Sequence, residues 1–132
     1  MVEIKNRPAN RNNYGGRRST DGIKYIVIHY TANDGDTAEG NGNYFANNVV
    51  GASAHYFVDD NSIVRSVPDD YTAWSVGGNK YKNTKGGTFY GKCINANSIS
   101  VELCDMKKNG KYDFTEATVK NAAELFKQLM KK

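Results

Sequence analysis

The chain has 132 residues and a formal net charge of +4, and it is 39% apolar and 24% charged, a composition typical of one globular domain. Its 13 glycines and 2 prolines exclude collagen-like and disordered classes, and its 2 cysteines exclude a disulfide-rich scaffold. No segment reaches the roughly 18 consecutive apolar residues of a membrane span, and the N-terminus has no apolar leader. We therefore expect a soluble protein made in the cytoplasm without a signal peptide.

Charge is distributed unevenly along the chain. Basic and acidic residues number six and two in residues 1–24, one and seven in residues 25–70, and eleven and five in residues 71–132. The basic residues are scattered among glycine and asparagine and form no motif that would enter a groove of DNA or RNA, so we expect no nucleic-acid partner. A weakly basic surface suits a polyanionic partner, such as an anionic bacterial cell wall.

The first half of the chain predicts strands interleaved with a helix. Residues 1–22 lack periodicity and are predicted to form an irregular N-terminal arm. Residues 23–30 have apolar side chains on both alternating faces, which is typical of a central strand covered on both sides. A weak helix over residues 37–48 precedes a hairpin of two strands, at 54–58 and 63–67.

The second half predicts a long loop, a strand and a helix. Residues 69–97 contain the single tryptophan, Trp74, and loops of such length are usually functional or mobile. A buried strand at 98–104 is followed by a polar turn at 107–113.

The last predicted element is a helix that begins with Thr115 as its N-cap and Phe114 packed as a staple on Val119. Its apolar stripe consists of Val119, Ala122, Phe126, Leu129 and Met130. Strands alternating with helices predict an α/β fold with a single mixed central sheet flanked by helices.

Two residues on neighbouring predicted strands could carry chemistry. His29 ends its strand, where open α/β sheets tend to place ligand groups. Glu102 lies within an apolar strand, and a carboxylate is costly to bury there unless it is paired or used. Together they are the ingredients of metal-assisted hydrolysis, in which an imidazole holds zinc, zinc lowers the pKa of its bound water, and the carboxylate accepts the proton. A purely structural His29–Glu102 pair, in a protein of another function, is the alternative.

Three further residues leave their roles open. His55 shares a strand face with Phe57, which suits core packing and a substrate hydrogen bond equally. Cys104 follows Glu102 by two residues and is a conceivable metal ligand, although a buried inert thiol is the commoner role. Trp74 is either a core or lid aromatic or a platform for a ligand.

Four segments in order carry a family resemblance. They are residues 26–33 (IVIHYTAN), 53–60 (SAHYFVDD), 73–74 (AW) and 97–104 (NSISVELC). The chain resembles the zinc-dependent N-acetylmuramoyl-L-alanine amidases of the type-2 family, especially the catalytic domains of phage and prophage endolysins, whose fold is shared with peptidoglycan recognition proteins. The resemblance covers about residues 20–132.

The resemblance implies a peptidoglycan hydrolase that cleaves the amide between N-acetylmuramic acid and L-alanine with a zinc-activated water. Residue by residue, His29 matches the first zinc ligand and Glu102 the catalytic glutamate, which acts as general base. His55, Trp74 and Tyr30 are then candidate substrate contacts, with Trp74 in one wall of the groove. The implied partner is bacterial peptidoglycan, which the enzyme would attack after its own release in phage or prophage lysis. The resemblance also allows a C-terminal wall-binding domain beyond residue 132.

The sequence departs from the family pattern in two places. Ala54 stands where some relatives carry a catalytic tyrosine, and the absence of that tyrosine is common in the glutamate-using branch. The family's remaining zinc ligands, a histidine and then a cysteine or aspartate, follow the last helix, and nothing after Cys104 can supply them. Because a catalytic zinc needs three protein ligands, we expect residues 1–132 to be an amidase domain truncated at its C-terminal end, which binds Zn²⁺ weakly by itself. A catalytically inert peptidoglycan-binding module is the alternative function.

Overall fold

The computed structural model describes residues 2–76 and 92–131. In chain order its strands are β1 Ile4–Asn6, β2 Tyr14–Arg17, β3 Tyr25–Tyr30, β4 Tyr56–Val58, β5 Ile63–Arg65, β6 Tyr71–Ala73, β7 Ser98–Leu103, β8 Met106–Lys108 and β9 Lys111–Asp113. The α-helices are α1 Ala38–Asn47 and α2 Glu116–Met130, and short 3-10 turns lie at Arg11–Asn13, Thr20–Gly22 and Asn95–Asn97.

Five strands form a mixed central sheet in the order β1-β5-β4-β7-β3. β3, β7 and β4 run parallel to one another, β5 is antiparallel to β4, and β1 is parallel to β5. The carboxyl ends of β3, β7 and β4 therefore meet at one edge of the sheet. The predicted α/β fold with a mixed central sheet flanked by helices is confirmed.

The two helices cover opposite faces of this sheet. Side chains of a strand alternate between faces, so Tyr56 and Val58 of β4 join the core beneath α2, together with Leu125 of that helix. Phe57, between them in sequence, joins the smaller core on the α1 side with Val64. Glu102 and Ser100 have the same alternation as Phe57, because β4 and β7 pair in register, and they face the α1 side.

Both helices begin with a threonine that caps the backbone. The hydroxyl oxygens of Thr37 and Thr115 accept hydrogen bonds from the N–H groups of Gly40 and Thr118, at 3.0 and 3.1 Å. Gly42 lies where α1 comes closest to β5, since a Cβ there would be 2.9 Å from Cγ1 of Val64. The glycine that weakens this helix in isolation thus permits its close packing. No helix in the described residues is long and apolar enough to cross a bilayer.

The prediction of an irregular arm over residues 1–22 is wrong. β1 adds an outer strand to the central sheet, and β2 forms an antiparallel ribbon with β6. Between them, the fully buried Asn13 donates from Nδ2 to the carbonyls of Phe45 and Asn48, and its Oδ1 accepts from the N–H groups of Val50 and Gly51. Short strands rich in glycine and polar residues leave no periodic signal in the sequence, which is why they were not predicted.

β3 is an edge strand and not the predicted central strand. Among the described strands its sheet neighbour is β7 alone. Ile28, which was expected to be covered, is 56% exposed. An apolar run on both faces indicates a strand, but it does not show where the strand lies in the sheet.

The remaining differences concern the second half. The predicted loop at 69–97 contains β6, and its residues 77–91 lie outside the described residues. The predicted polar turn at 107–113 lies within the hairpin of β8 and β9. In α2, Val119 and Met130 are exposed, while Phe114 packs against the core beneath this helix. Asn121 is buried and donates to the carbonyl of Asp59 at 3.0 Å. The buried face of α2 is thus rotated relative to the predicted apolar stripe.

Candidate active site

Three neighbouring strands place three side chains in a row at their carboxyl ends. Glu102 of β7 is the direct register partner of His29 on β3 and of Phe57 on β4. Each of the three is the penultimate residue of its strand. Carboxyl ends of parallel strands are where open α/β sheets bind ligands, and the row therefore marks a candidate site.

His29 and Glu102 form a close but incomplete pair. His29 Nδ1 lies 3.2 Å from Glu102 Oε2, and the two side chains are 37% and 22% exposed. The contact lacks the alignment of a hydrogen bond, and the buried Oε2 has no hydrogen-bond partner among the described residues. Interaction with the Glu102 carboxylate raises the pKa of His29 above its ordinary value, and partial burial opposes that shift. The Glu102 carboxylate and the His29 imidazole thus lie against each other on neighbouring strands.

Both side chains open into one cavity of about 260 Å³. Aromatic and small residues form its walls, and the full lining is His29, Tyr30, Phe45, Ala52, Ser53, Ala54, Phe57, Trp74, Ser75 and Glu102. We refer to it as the Glu102 cavity. The structure therefore brings together four of the five predicted site residues, namely His29, Tyr30, Trp74 and Glu102.

A second cavity of about 700 Å³ adjoins the first, because Glu102, Phe45 and Phe57 line both. Its other walls come from the loop after β3 and from α1, and include Thr31, Asn33, Asp36, Thr37, Asn41 and Tyr44. Glu102 thus lies at the boundary between two adjoining cavities.

The loop after β3 is held in place by a residue that the sequence did not single out. The buried carboxylate of Asp105 accepts hydrogen bonds from the N–H groups of Ala32 and Asn33, at 2.7 and 3.1 Å. Ala32 has a φ of 56°, a conformation that a non-glycine residue adopts only when its surroundings hold it. The position of Asp105, just after a buried strand, was the only sequence signal for this role.

The structure places His55, the fifth predicted site residue, in the core and not in the Glu102 cavity. His55 is 1% exposed and does not line the Glu102 cavity. Its Nδ1 accepts from the N–H of Ser100 at 3.0 Å, so the proton lies on Nε2, which donates to the carbonyl of Tyr71 at 2.9 Å. Arg18 Nη2 approaches Nε2 to 3.2 Å. Burial lowers the pKa of His55 to about 4, and the residue is therefore a neutral structural imidazole.

Cys104 is a buried thiol outside the Glu102 cavity. Asn41 Nδ2 lies 3.6 Å from its sulfur. Burial raises the pKa of Cys104 far above its ordinary value, and nearby Asp36 and Asp59 add to the effect. Because Cys104 is buried and lines neither of the two cavities that contain Glu102, the inert role is the one that the structure supports.

Trp74 is held by residues that sequence reasoning missed. Its N–H donates to Ser53 Oγ at 2.9 Å, and its carbonyl accepts from the Ser53 N–H at 3.0 Å. The next two N–H groups, of Ser75 and Val76, donate to Asn95 Oδ1 at 3.1 and 2.8 Å. No local sequence pattern signals these contacts, because the partners are about twenty positions away.

A catalytic zinc ion needs three protein ligands and an open fourth position. The Glu102 cavity offers one imidazole and one carboxylate. Within residues 2–76 and 92–131, no group of three or more His, Cys, Asp or Glu side chains is arranged to hold a metal ion. Residues 77–91 contain none of these four residue types. The residues present therefore do not fit zinc by themselves.

Comparison with known proteins identifies what the chain is similar to. A family model described as N-acetylmuramoyl-L-alanine amidase matches residues 18–132. The N-acetylmuramoyl-L-alanine amidase BlyA of Bacillus subtilis is 35% identical over 116 residues, which are 84% of this chain and 31% of that protein. The chain thus spans about a third of the length of the curated relative.

Solved structures agree with this similarity. A mutant endolysin from Bacillus subtilis superposes with a TM-score of 0.73 at 30% identity, over 98% of this chain and 76% of that one. The catalytic domain of XlyA superposes with a TM-score of 0.72 at 28% identity, over the same shares of the two chains. The chain therefore shares its fold with these two structures.

Proposed function

Since the chain belongs to the N-acetylmuramoyl-L-alanine amidase family, we propose that its site hydrolyses the amide bond between N-acetylmuramic acid and L-alanine in bacterial peptidoglycan. Glu102 is the general base in this proposal. Cleavage of an amide by water requires a group that accepts the proton of the attacking water. The substrate polymer lies in the bacterial cell wall, which is where the enzyme would act.

The observation that carries this proposal is the placement of Glu102, whose side chain lines both cavities at the carboxyl ends of β3, β7 and β4. A carboxylate is costly to bury unless it is paired or used. Its buried Oε2 lies 3.2 Å from Nδ1 of His29 without an aligned hydrogen bond. In the proposal, the Glu102 carboxylate accepts the proton of a water molecule in the Glu102 cavity, with the His29 imidazole beside it.

We also propose that His29 is one ligand of a zinc ion. The family is typically zinc-dependent, and His29 is the one imidazole that reaches the Glu102 cavity in the described residues. His29 and Glu102 together are short of the three protein ligands that a catalytic zinc needs.

The aromatic residues of the Glu102 cavity are proposed to bind the substrate. Trp74 is 38% exposed although its backbone is held on both sides. Tyr30 is also exposed, and its ring contacts that of Tyr112 with the centroids 5.6 Å apart. Rigid, partly exposed aromatic rings offer apolar contact area at little entropic cost, which suits the sugar and peptide groups on either side of the scissile amide.

The proposal is tested with Glu102→Gln in the intact protein that its gene encodes. Glutamine keeps the size of the side chain and removes the base, and we expect the rate to fall by about 10²- to 10⁴-fold. The assay measures new L-alanine amino groups released from purified peptidoglycan. Glu39→Gln is the matched control, since Glu39 is an exposed carboxylate paired with Lys5 and lines neither cavity.

Two outcomes would count against the amidase mechanism. Cleavage by the Glu102→Gln protein at the wild-type rate would remove Glu102 from the catalytic role. Binding of muropeptides by the wild-type protein without any release of amino groups would instead support the inert binding module.

A further inference from the structure

The wall of the Glu102 cavity depends on a residue far from it in sequence. Trp74 follows β6, and β6 pairs with β2, the strand that contains Gly15. A Cβ built on Gly15 would lie 2.9 Å from Nε1 of the Trp74 indole, closer than carbon and nitrogen atoms approach without displacement. The indole therefore packs directly on the backbone of Gly15.

The requirement at this position is for space and not for backbone freedom. Gly15 is not among the glycines with positive φ, so its backbone conformation is open to other residues. The nearest other atoms, Cβ and O of Thr72, would be 3.4 and 3.5 Å from the added Cβ, which is ordinary contact. The only close contact is with the indole of Trp74.

A methyl group added at Gly15 would displace the indole ring of Trp74 more than the backbone around it. Ser53 holds the backbone of Trp74 by two hydrogen bonds, and Asn95 holds the two residues that follow. With the backbone held, the close contact is relieved by rotation of the Trp74 side chain. Rotation of the ring would change the shape of the cavity that Trp74 shares with Glu102.

We propose that Gly15 is a positioning residue for substrate binding: its missing side chain lets the Trp74 indole occupy the wall of the Glu102 cavity in the orientation that holds the muropeptide. The consequence for binding rests on the proposed function. The N-terminal segment of the chain is in this way a functional part of the site.

The test compares Gly15→Ala with Gly16→Ala. Gly16 is the matched control, because an added Cβ there meets no atom within 4 Å. Trp74 is the only tryptophan, so its fluorescence emission and its quenching by acrylamide report directly on the ring. We expect both signals to change in Gly15→Ala and to stay at wild-type values in Gly16→Ala.

Binding is measured by titrating each protein with a soluble muropeptide that contains N-acetylmuramic acid and L-alanine. We expect the Kd, and the KM of cleavage, to rise by about three- to tenfold in Gly15→Ala with kcat little changed. In a Trp74→Ala background, Gly15→Ala should have no further effect, because the side chain that it displaces is absent.

Wild-type emission and wild-type Kd in Gly15→Ala would overturn the proposal, as would an equal effect of Gly15→Ala in the presence and absence of Trp74. If Gly15→Ala does not fold, recovery of folding in Gly15→Ala/Trp74→Ala would support the contact, and failure of the double variant would refute it. Hydrolysis by the wild-type protein is scored separately. Without it the proposed function fails, while the emission spectra still decide the role of Gly15.

Discussion

The surroundings of the two histidines differ in one property, the completeness of their hydrogen bonding. His55 is buried, and its two ring nitrogens are used by the N–H of Ser100 and the carbonyl of Tyr71. His29 is partly exposed at the carboxyl end of β3 and faces Glu102, whose buried Oε2 has no hydrogen-bond partner in the described part of the chain. Both histidines lie at or beside strands, so strand position alone does not separate them.

The comparison shows how a structural imidazole is distinguished from a functional one. Folding favours polar groups that are fully paired, because an unpaired buried group loses its interactions with water and gains none. A site for chemistry keeps some of these groups available for substrate, water or metal. His55 therefore contributes to stability, whereas the His29–Glu102 contact leaves Oε2 of Glu102 without an aligned hydrogen bond among the described residues.

The strongest test of this difference exchanges each histidine for asparagine. We expect His29→Asn to lose peptidoglycan cleavage by at least about a hundredfold and to change the free energy of unfolding by less than about 1 kcal/mol. We expect His55→Asn to be destabilised by about 2–4 kcal/mol, because it leaves buried groups without partners, and to keep its activity per folded molecule. Urea unfolding and the amino-group release assay measure the two quantities. A His55→Asn protein of normal stability without activity would contradict the division of roles.

The residues of the site were predictable where the cost of burial is visible in the sequence. Glu102 interrupts an apolar strand, and His29 ends one, so the residue pattern alone is enough to single out both. Their direct register across β3 and β7 is seen only in the folded sheet, because parallel neighbouring strands could also pair in another register. The strands themselves were predicted because β-branched residues recur along them.

The residues that were not predicted act through distant partners. The hydrogen-bond partners of His55 lie 45 and 16 positions away in the sequence. No local pattern distinguishes such a buried structural histidine from one that contacts a substrate. Gly15 matters because an indole 59 positions later needs its space. The short strands β1 and β2 are stabilised by their pairing with β5 and β6 and have little signal of their own.

A smaller effect is expected from pH. Burial lowers the pKa of His55 to about 4, and the Arg18 guanidinium contributes to the shift, whereas an unfolded histidine has a pKa of about 6.5. Between these values the unfolded chain binds a proton that the native protein does not, so stability falls as the pH falls. Between pH 7 and pH 5 we expect His55 to account for a loss of about 2 kcal/mol in the free energy of unfolding.

The control for this pH effect is His55→Gln, which cannot titrate. Urea unfolding at pH 7 and pH 5 gives, for each protein, the change in the free energy of unfolding between the two pH values. This change should be larger in the wild type by the contribution of His55. Other groups that titrate in this range, such as His29 with its raised pKa, affect both proteins alike and cancel. Equal differences in the two proteins would mean that His55 is not buried as a neutral imidazole.

The smallest expected effect is on zinc binding by residues 1–132. One imidazole beside one carboxylate is short of the three protein ligands that hold a catalytic zinc, and metal affinity in such sites falls steeply as ligands are lost. We therefore expect this chain to retain substoichiometric zinc after gel filtration in metal-free buffer, as measured by atomic absorption. The zinc that remains should disappear in His29→Asn and persist in His55→Asn, since only His29 opens into the Glu102 cavity. Zinc that survived His29→Asn would place the metal elsewhere, and the incomplete pair at Glu102 would then need another ligand to explain it.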